Sequence, residues 1–357
     1  MTTHRLLTRN SNDLSGIKDK SINLIITSPP YPMIEMWDEI FSIQDPSIKE
    51  ALSAGDGNAA FSKMHEILNS VWNECDRVLK DNGFVCINIG DATRTINNDF
   101  QLYSNHTRII DFFISKGYNV LPDVHWRKQS NSPNKFMGSG MYPAGAYVTY
   151  EHEYILIFRK GGKRIFKGNE KTLRQKSAFF WEERNVWFSD LWEIKGISQA
   201  ITKSKATRDR NASFPFEIPY RLINMYSAEG DTVLDPFTGL GTTNLASMVS
   251  NRNSIGIDID PEIIKLAINN MSISKDKLND IIYNRINNHN RFINSLSNEK
   301  KEKCYKNTHH NFEVKTRQEI EIEIELISNI ILAEDGCSCE YLPYTPPTVY
   351  EQLSFSF

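Results

Sequence analysis

"VLDPFTGLGTT", residues 233 to 243, gives the strongest indication of the fold class. An apolar run ends at Asp235, and a turn containing Gly239 and Gly241 leads into the helical pattern "TTNLASMVSN". Such a turn lets the backbone approach a ligand closely, and it points the N–H groups of the helix N-terminus at that ligand. A second apolar run, "NSIGIDID", ends in acidic residues, which can bind both hydroxyls of a ribose. The stretch therefore predicts the nucleoside-binding half of a doubly wound α/β sheet.

The spacing of the glycines argues against a dinucleotide ligand. Dehydrogenases use the same strand, turn and helix, but their glycines follow the pattern G-x-G-x-x-G, which this stretch lacks. No cradle for a pyrophosphate is evident either. We therefore expect a nucleoside with an attached amino acid rather than a dinucleotide.

The rest of the chain repeats the alternation of strand and helix patterns. Apolar strand-like runs occur at "HRLLTRNS", "SINLIIT", "FVCINIG" and "EHEYILIFRKG", and helical spacing occurs from Phe61 to Gly83 and in "HTRIIDFFISKGYNVL". This order predicts a mostly parallel sheet with helices on both faces. Residues 32–60 show little periodicity, which indicates a lid, a binding loop or disorder. "QEIEIEIELISNIIL" fits a strand and a helix, but its length and glutamate content favour a helix in a C-terminal extension.

The overall composition is that of an ordinary soluble protein. The chain has 357 residues, of which 40% are hydrophobic and 24% charged, and it has no apolar run long enough to cross a bilayer. The N-terminus lacks the apolar stretch of a signal peptide, so a cytoplasmic protein is expected. Five scattered cysteines argue against a disulfide framework, and Cys337 and Cys339 are either a partial metal site or, as we prefer, two ordinary thiols. We predict no metal.

The charge is distributed unevenly. The chain has a net charge of -3, but the segment from Phe158 to Arg210 has 14 lysine and arginine residues against 6 acidic ones, a net charge of +8. Trp181, Trp187 and Trp192 lie within this segment. A solvated basic face and a nucleic-acid surface both explain the pattern, and composition leaves both open.

The strand pattern "SINLIIT" ends at the tetrapeptide Ser28-Pro29-Pro30-Tyr31. Prolines have no backbone N–H group and hold φ near one value. The backbone of this turn is therefore rigid, and its carbonyl groups are available for a ligand.

Together these stretches resemble the amino-group DNA methyltransferases. "DPFTGLGTT", with "SFPFEIPYRLI" before it and "GIDIDPE" after it, resembles their S-adenosylmethionine site, and "TSPPY" resembles their catalytic tetrapeptide. The catalytic motif comes first, then a basic region, then the cofactor motif, which is the order of the beta class. The connecting pieces "ECDRVLKDNGFVCINIGDA", "HWRKQSNSP" and "EHEYILIFRKG" also resemble that class. The resemblance covers roughly residues 4 to 270, and several ordered motifs are more specific than one.

The resemblance implies a Rossmann-like methyltransferase fold with an inserted target-recognition region and a helical C-terminal extension. It divides the chain into a catalytic half (1–157), a target-recognition region (158–210), a cofactor-binding half (211–272) and an extension without an assigned role (273–357). The implied cofactor is S-adenosyl-L-methionine. The implied cofactor-binding residues are Asn10, Ser11, Thr27, Phe214, Pro215, Asp235, Pro236, Phe237, Gly239, Gly241, Thr242, Thr243 and Asp258. Asp235 is assigned to the methionyl end and Asp258 to the ribose, whereas Asp260 is expected to cap the following helix.

The same resemblance implies the reaction. Two acceptors, the Ser28 side chain and the Pro29 carbonyl, could hold an exocyclic amine of a flipped-out base, and Tyr31 could stack on that base beside Pro30. Family members with serine at the first position generally methylate cytosine N4, so we predict that reaction, with adenine N6 methylation and a non-catalytic DNA-binding cofactor sensor as alternatives. Cytosine carbon 5 methylation is not expected, because no Pro-Cys loop supplies a nucleophile. The implied partner is double-stranded DNA, with a restriction endonuclease as the functional counterpart and a homodimer as the suggested assembly. The predicted DNA contacts are Lys163, Arg164, Arg174, Lys176, Lys203, Lys205, Arg208 and Arg210.

Overall fold

The computed structural model describes residues 1–128, 137–195, 214–272 and 275–346. The strands in these ranges are β1 (Thr2–Thr8), β2 (Ile22–Thr27), β3 (Leu79–Ile89), β4 (Ala92–Ile96), β5 (Asp99–Tyr103), β6 (Asn119–Arg127), β7 (Met137–Gly138), β8 (Ala146–Tyr147), β9 (His152–Arg159), β10 (Leu191–Trp192), β11 (Thr232–Asp235), β12 (Asn253–Asp258), β13 (Tyr305–Lys306), β14 (Glu313–Val314), β15 (Glu325–Ala333) and β16 (Gly336–Pro343). The helices are α1 (Asp38–Gln44), α2 (Pro46–Ser53), α3 (Gly57–Val78), α4 (Asn105–Ser115), α5 (Asn169–Lys176), α6 (Trp181–Trp187), α7 (Glu217–Tyr226), α8 (Thr242–Val249), α9 (Pro261–Met271), α10 (Lys275–Ser295) and α11 (Asn298–Lys301).

One large sheet organises the molecule. Its described strands follow the order β10-β6-β9-β3-β2-β11-β12-β1-β16-β15. The five central strands, from β3 to β1, are parallel to one another, and β9 is antiparallel to β3. The carboxyl ends of the five parallel strands therefore meet at one edge, here called the carboxyl edge. Strand β9 begins at the carboxyl edge and ends at the opposite one, here called the amino edge.

Helices cover both faces of the central strands, as alternation of side chains along a strand requires. In β2, Ile25 packs in the hydrophobic cluster that contains the buried side of α3. Its neighbours Leu24 and Ile26 point to the other face, where they pack in the cluster that contains α7. The prediction of a doubly wound, mostly parallel α/β sheet is confirmed.

Residues 32–60, which lacked periodicity, fold into a 3-10 turn (Glu35–Trp37) and the short helices α1 and α2. The Asp45 side chain accepts a hydrogen bond from the Ser47 backbone N–H group (3.0 Å) and caps α2, in which Pro46 is the first residue. Phe41 and Ile48 are buried. The segment had been interpreted as a lid, a binding loop or disorder, and the interpretation as disorder is therefore wrong. Helices of two turns are too short to show a clear helical period.

The prediction of a helix for "QEIEIEIELISNIIL" is wrong, and the long helix of the extension is instead α10, which was not predicted from its own residues. The second half of this stretch is strand β15, which pairs with β16, and β16 pairs antiparallel with β1. Just before β15, Ile322 and Ile324 are buried, whereas Glu321 and Glu323, which alternate with them, are partly exposed. Because the edge of β1 offers unpaired backbone groups, tertiary pairing outweighs the helical propensity of the glutamates.

The extension packs against α6 through a partly buried ionic network. The Arg285 guanidinium on α10 donates from Nε (2.7 Å) and Nη2 (2.8 Å) to the two carboxylate oxygens of Glu183. His289 Nδ1 lies 2.7 Å from Glu182 Oε1, and the His289 ring stacks on Phe180 with centroids 3.7 Å apart. The described part of the extension thus fixes the position of the segment that leads to β10.

Two kinds of feature are absent from the described ranges. None of their helices combines the length and the apolar character that crossing a bilayer requires. Nor do they contain a group of three or more His, Cys, Asp and Glu side chains placed to hold a metal ion. Cys337 and Cys339 are free, buried thiols on β16.

Candidate functional site

A pocket opens at the carboxyl edge, where the loops after β1, β2, β11 and β12 meet. Its empty volume, including the open mouth, is about 1020 Å³. Pockets in open α/β sheets occur at this edge, because the loops that follow parallel strands converge there. The predicted residues that line it are Asn10, Ser11, Ser28, Pro29, Pro30, Phe214, Asp235, Pro236, Phe237, Gly239, Thr242 and Asp258.

Asp235, the last residue of β11, forms the floor of the pocket and is 2% exposed. One carboxylate oxygen accepts hydrogen bonds from Thr27 Oγ1 (2.7 Å) and the Phe237 backbone N–H group (3.1 Å), and the other accepts from Thr243 Oγ1 (2.6 Å). Burial raises the pKa of Asp235 to about 6. Thr27 and Thr243 do not line the pocket; they hold the carboxylate in place.

Asp258, the last residue of β12, lies across the glycine turn. Its carboxylate accepts hydrogen bonds from the backbone N–H groups of Gly239 (3.3 Å) and Asp260 (3.0 Å), and burial raises its pKa. Gly241 has φ of +80°, in the left-handed region, where a residue with a Cβ atom is strained. Asp260 accepts from the Glu262 backbone N–H group (2.9 Å), so its predicted capping role is confirmed.

The loop after β1 closes one side of the pocket. Ser11 Oγ donates a hydrogen bond to the Pro236 carbonyl and so ties this loop to the loop after β11. Asn10 Nδ2 donates to Gln44 Oε1 on α1 (3.0 Å). Pro215 does not line the pocket; it precedes α7 and its carbonyl accepts from the Ile218 backbone N–H group (3.0 Å).

The tetrapeptide that follows β2 belongs to a polar network at the same edge. Ser28 Oγ lies 3.1 Å from the Tyr31 hydroxyl, which donates to Glu153 Oε2 (2.9 Å). Asn88 Nδ2 donates to the Tyr31 oxygen (2.8 Å) and to Glu153 Oε2 (2.7 Å). Lys128 forms an ion pair with the other oxygen of Glu153. Ser28 and its two prolines line the pocket, whereas Tyr31 lies just behind Ser28.

Known proteins are similar to this chain in sequence. The sequence profile of the DNA methylase family matches residues 22–269. Over 326 residues the chain is 53% identical to the Type II methyltransferase M.MthZI of Methanothermobacter thermautotrophicus, and the match covers 90% of each chain. It is 46% identical over 292 residues to the Type II methyltransferase M.MjaI of Methanocaldococcus jannaschii, covering 78% of this chain and 94% of that one. The chain belongs to the DNA methylase family.

Solved structures agree with this assignment. A Thermus thermophilus protein described as a DNA modification methylase, in complex with S-adenosyl-L-methionine, has a TM-score of 0.59 and 26% identity, covering 75% of this chain and 93% of that one. The cytosine-N4-specific PvuII DNA methyltransferase has a TM-score of 0.55 at 19% identity, covering 80% and 94%, and it supports the fold alone. The prediction of a beta-class amino methyltransferase with a Ser-Pro-Pro-Tyr motif is confirmed, and so is its cofactor, S-adenosyl-L-methionine.

The pocket of this DNA methylase suits that cofactor chemically. Two carboxylates, that of the buried Asp235 and that of the partly buried Asp258, face a pocket whose other walls are largely apolar. Carboxylates complement an ammonium group and ribose hydroxyls, and apolar walls complement an adenine ring. At Gly239 an added Cβ would meet nothing within 4 Å, but φ of +51° there favours glycine.

Sequence reasoning missed a wall of the pocket and the support of the tetrapeptide. The missed lining residues are Trp37, Ile40, Phe41, Gln44, Ile67, Leu68, Val71, Thr238, Leu240 and Ile259. Asn88 and Glu153 were also missed, although each is a polar residue in an otherwise apolar strand pattern near the carboxyl edge. A polar residue that interrupts an apolar strand pattern was the signal that could have identified Asn88 and Glu153 as site residues.

The structure divides the predicted DNA contacts into two groups. Lys163, Arg164 and Arg174 line a separate basin at the amino edge, because β9 carries the chain roughly 25 Å away from the carboxyl edge. Arg164 pairs with Asp231 (2.6 Å), and Lys176 pairs with Glu323. The described structure therefore does not bring these four residues to the pocket. Lys203, Lys205, Arg208 and Arg210 lie outside the described residues.

The three tryptophans of the basic segment also differ from one another. Trp187 and Trp192 are buried, and the Trp192 ring lies 4.8 Å below the Arg221 guanidinium. Trp181 is 41% exposed. Trp187 and Trp192 therefore belong to the core and are not available to stack on bases.

Replacing Asp235 with asparagine is expected to raise the thermal midpoint of the ligand-free DNA methylase at neutral pH and to weaken S-adenosylmethionine binding. Burial raises the pKa of Asp235 from 3.8 to about 6, so between these pH values the folded state binds more protons than the unfolded state. The stability that this carboxyl provides is therefore greatest at acid pH and is lost as the pH rises through 6. Thermal melts from pH 4 to pH 8 should show a gap between variant and wild type that closes toward pH 4.

The exposed carboxyl of Asp99 provides a control. Asp99→Asn should leave both the midpoint and its pH dependence unchanged. A gap for Asp235→Asn that is the same at every pH would contradict this account of the buried carboxylate.

Proposed function

We propose that this DNA methyltransferase methylates the exocyclic N4 amine of cytosine in double-stranded DNA. The observation that carries the proposal is Ser28, which lines the pocket where an adenine-specific relative generally has aspartate or asparagine. The hydroxyl of Ser28 lies at the end of β2, next to the Pro29 carbonyl and beside the predicted cofactor residues. This position supports the role of Ser28 and Pro29 as a pair of neutral acceptors beside the cofactor pocket.

The two acceptors act on the geometry of the amine. The lone pair of an exocyclic amine is delocalised into the ring, so the nitrogen must become tetrahedral before it can attack. Ser28 Oγ and the Pro29 carbonyl each accept one N–H group of the amine and hold the nitrogen in that geometry. The rigid backbone of Pro29 and Pro30 keeps both acceptors in place without reorganisation.

Tyr31 supports the target base once it has left the duplex. The amine is inaccessible inside a duplex, so the base must be flipped into the site. The Tyr31 hydroxyl is fixed by Asn88 and Glu153, which leaves the ring to stack on the base. Gly90 makes room for this ring, since a Cβ atom there would lie 3.1 Å from Tyr31 Cε2.

The cofactor residues hold the methyl donor against the target amine. S-adenosyl-L-methionine, when bound, supplies an electrophilic methyl group on a sulfonium. Asp235 binds the methionyl end, Asp258 binds the ribose hydroxyls, and Phe237 packs beside the bound nucleoside. The glycine turn at Gly239 and Gly241 admits the cofactor to the carboxyl edge. Asn10, Ser11, Phe214, Pro236 and Thr242 line the same pocket, whereas Thr27 and Thr243 act indirectly by holding the Asp235 carboxylate in place, and Pro215 acts indirectly by preceding α7.

DNA binds across the carboxyl edge. The basic stretch 196–213 lies between two described residues, Lys195 and Phe214. Lys195 follows β10 and Phe214 lines the pocket, so both lie at the carboxyl edge. Lys203, Lys205, Arg208 and Arg210 are therefore the proposed phosphate or base contacts. The naming of M.MthZI and M.MjaI as Type II methyltransferases supports a protective role beside a restriction endonuclease.

The product nucleoside tests the proposal. The enzyme is incubated with labelled S-adenosyl-L-methionine and unmethylated genomic DNA, and the DNA is then digested to nucleosides and separated. We expect label in N4-methyldeoxycytidine only. Label in N6-methyldeoxyadenosine would establish the adenine alternative, and cofactor binding without any transfer would establish the sensor alternative.

A further inference from the structure

The network behind the tetrapeptide fixes the direction of a chain of hydrogen bonds. Glu153 is 9% exposed and is surrounded by donors: Lys128 lies at one carboxylate oxygen, and Asn88 Nδ2 and the Tyr31 hydroxyl lie at the other. No hydrogen bond of the described residues requires Glu153 to donate. Glu153 is therefore an ionised acceptor at both oxygens.

The Tyr31 hydroxyl consequently donates its hydrogen bond to Glu153 and to no other neighbour. A phenol has one O–H group, and a carboxylate accepts more strongly than a neutral hydroxyl. Burial and the charge of Glu153 raise the pKa of Tyr31 well above its usual value, so the phenol keeps that proton. The Tyr31 oxygen can then only accept from its other neighbours, Asn88 Nδ2 at 2.8 Å and Ser28 Oγ at 3.1 Å.

The direction of these hydrogen bonds determines whether the Ser28 hydroxyl can accept a hydrogen bond from a substrate. A serine hydroxyl is both a donor and an acceptor, and a hydroxyl that donated to the substrate amine could not accept its N–H group. We propose that Glu153, acting through Tyr31, orients the Ser28 hydroxyl so that Ser28 donates to Tyr31 and turns its lone pairs toward the target amine. Glu153 is a positioning residue, and this role rests on the proposed function of Ser28 as an acceptor.

Loss of the Glu153 acceptor would reverse the direction of the hydrogen bond between Tyr31 and Ser28. If Glu153 loses its acceptor atoms, Asn88 still presents its Nδ2 donor to the Tyr31 oxygen, and Ser28 Oγ is the acceptor that lies within hydrogen-bond distance of it. Tyr31 then donates to Ser28 and occupies a lone pair that the substrate amine needs. Removing the Tyr31 hydroxyl as well abolishes this competing donor.

The test is a pair of substitutions with opposite effects. Glu153→Leu preserves volume but has no acceptor, and we expect kcat to fall about 30-fold, with the Kd for S-adenosyl-L-methionine and the KM for DNA nearly unchanged. Tyr31→Phe keeps the ring and should lower kcat less. The double variant Glu153→Leu/Tyr31→Phe should be faster than Glu153→Leu alone, because the competing donor is gone. Glu153→Gln, which can still accept from Tyr31, should lose less than Glu153→Leu.

Two outcomes would overturn the proposal: a double variant that is as slow as Glu153→Leu or slower, or a Glu153→Leu variant with the kcat of the wild type. A purely structural role for Glu153 predicts additive losses, not recovery. Glu153→Met, which also lacks an acceptor, carries the same test if the leucine variant does not fold. Each variant is assayed on unmethylated genomic DNA, and its product nucleoside is identified. An N6-methyldeoxyadenosine product would refute the cytosine proposal, whereas the recovery in the double variant reports on Glu153 alone.

Discussion

Replacing Ser28 with alanine is expected to lower kcat about 10³-fold, because one of the two acceptors for the target amine is lost at the point where charge develops. The affinity for S-adenosyl-L-methionine should remain close to that of the wild type. Ser28 forms hydrogen bonds with Tyr31 and, at 3.4 Å, with Asn88, but none with Asp235 or Asp258. The loss therefore belongs to the chemical step and not to cofactor binding.

Single-turnover methylation and cofactor titration, measured on the same preparation, separate these effects. Ser28→Thr is the matched variant, because it retains a hydroxyl at the same position and should keep more activity than Ser28→Ala. Asp235→Ala should show the reverse pattern, with a larger effect on the Kd for the cofactor than on kcat at saturation. Equal losses of kcat and cofactor affinity in Ser28→Ala would contradict the division of roles between the two motifs.

The features that could be predicted from the sequence are those set by neighbours along the chain. Asp235, Asp258 and Ser28 each follow an apolar run and precede a turn, and in a parallel sheet such positions meet at the carboxyl edge. No knowledge of the strand order is needed for that inference. For the same reason the three residues line one pocket in the structure.

What the sequence could not show depends on contacts between distant segments. Glu153 contacts Tyr31 because β9 lies antiparallel beside β3. Whether β9 is parallel or antiparallel to its neighbour cannot be predicted from the residues of β9 themselves. The same direction of β9 places Lys163 and Arg174 at the amino edge. In the sequence they belong to the basic segment from Phe158 to Arg210, which gives no sign of this separation. The strand at Glu325–Ala333 forms because β16 pairs with the free edge of β1, which a local propensity for helix cannot anticipate.

Replacing Arg285 with methionine is expected to reduce the free energy of unfolding by about 3–5 kcal/mol, because it leaves the carboxylate of Glu183 buried without its partner. The side chains of Arg285 and Glu183 are only 15% and 13% exposed, and their two hydrogen bonds form a bidentate pair. The Arg285 guanidinium also lies 5.2 Å from the centre of the Phe180 ring. Urea denaturation monitored by tryptophan fluorescence measures the loss.

A second substitution distinguishes two causes of the loss: the unpaired charge of Glu183 and the missing packing contacts of Arg285. Glu183→Gln removes the charge but can still accept from the Phe180 backbone N–H group, which Glu183 caps at 2.8 Å. In Arg285→Met/Glu183→Gln we therefore expect much of the stability to return, since the buried pair is replaced by neutral groups of similar volume. Lys303→Met, which breaks an exposed pair with Glu299, should change nothing measurable. If the double variant is no more stable than Arg285→Met, the loss comes from the contacts of the arginine with Phe180 and Trp187, and the extension holds α6 by packing alone.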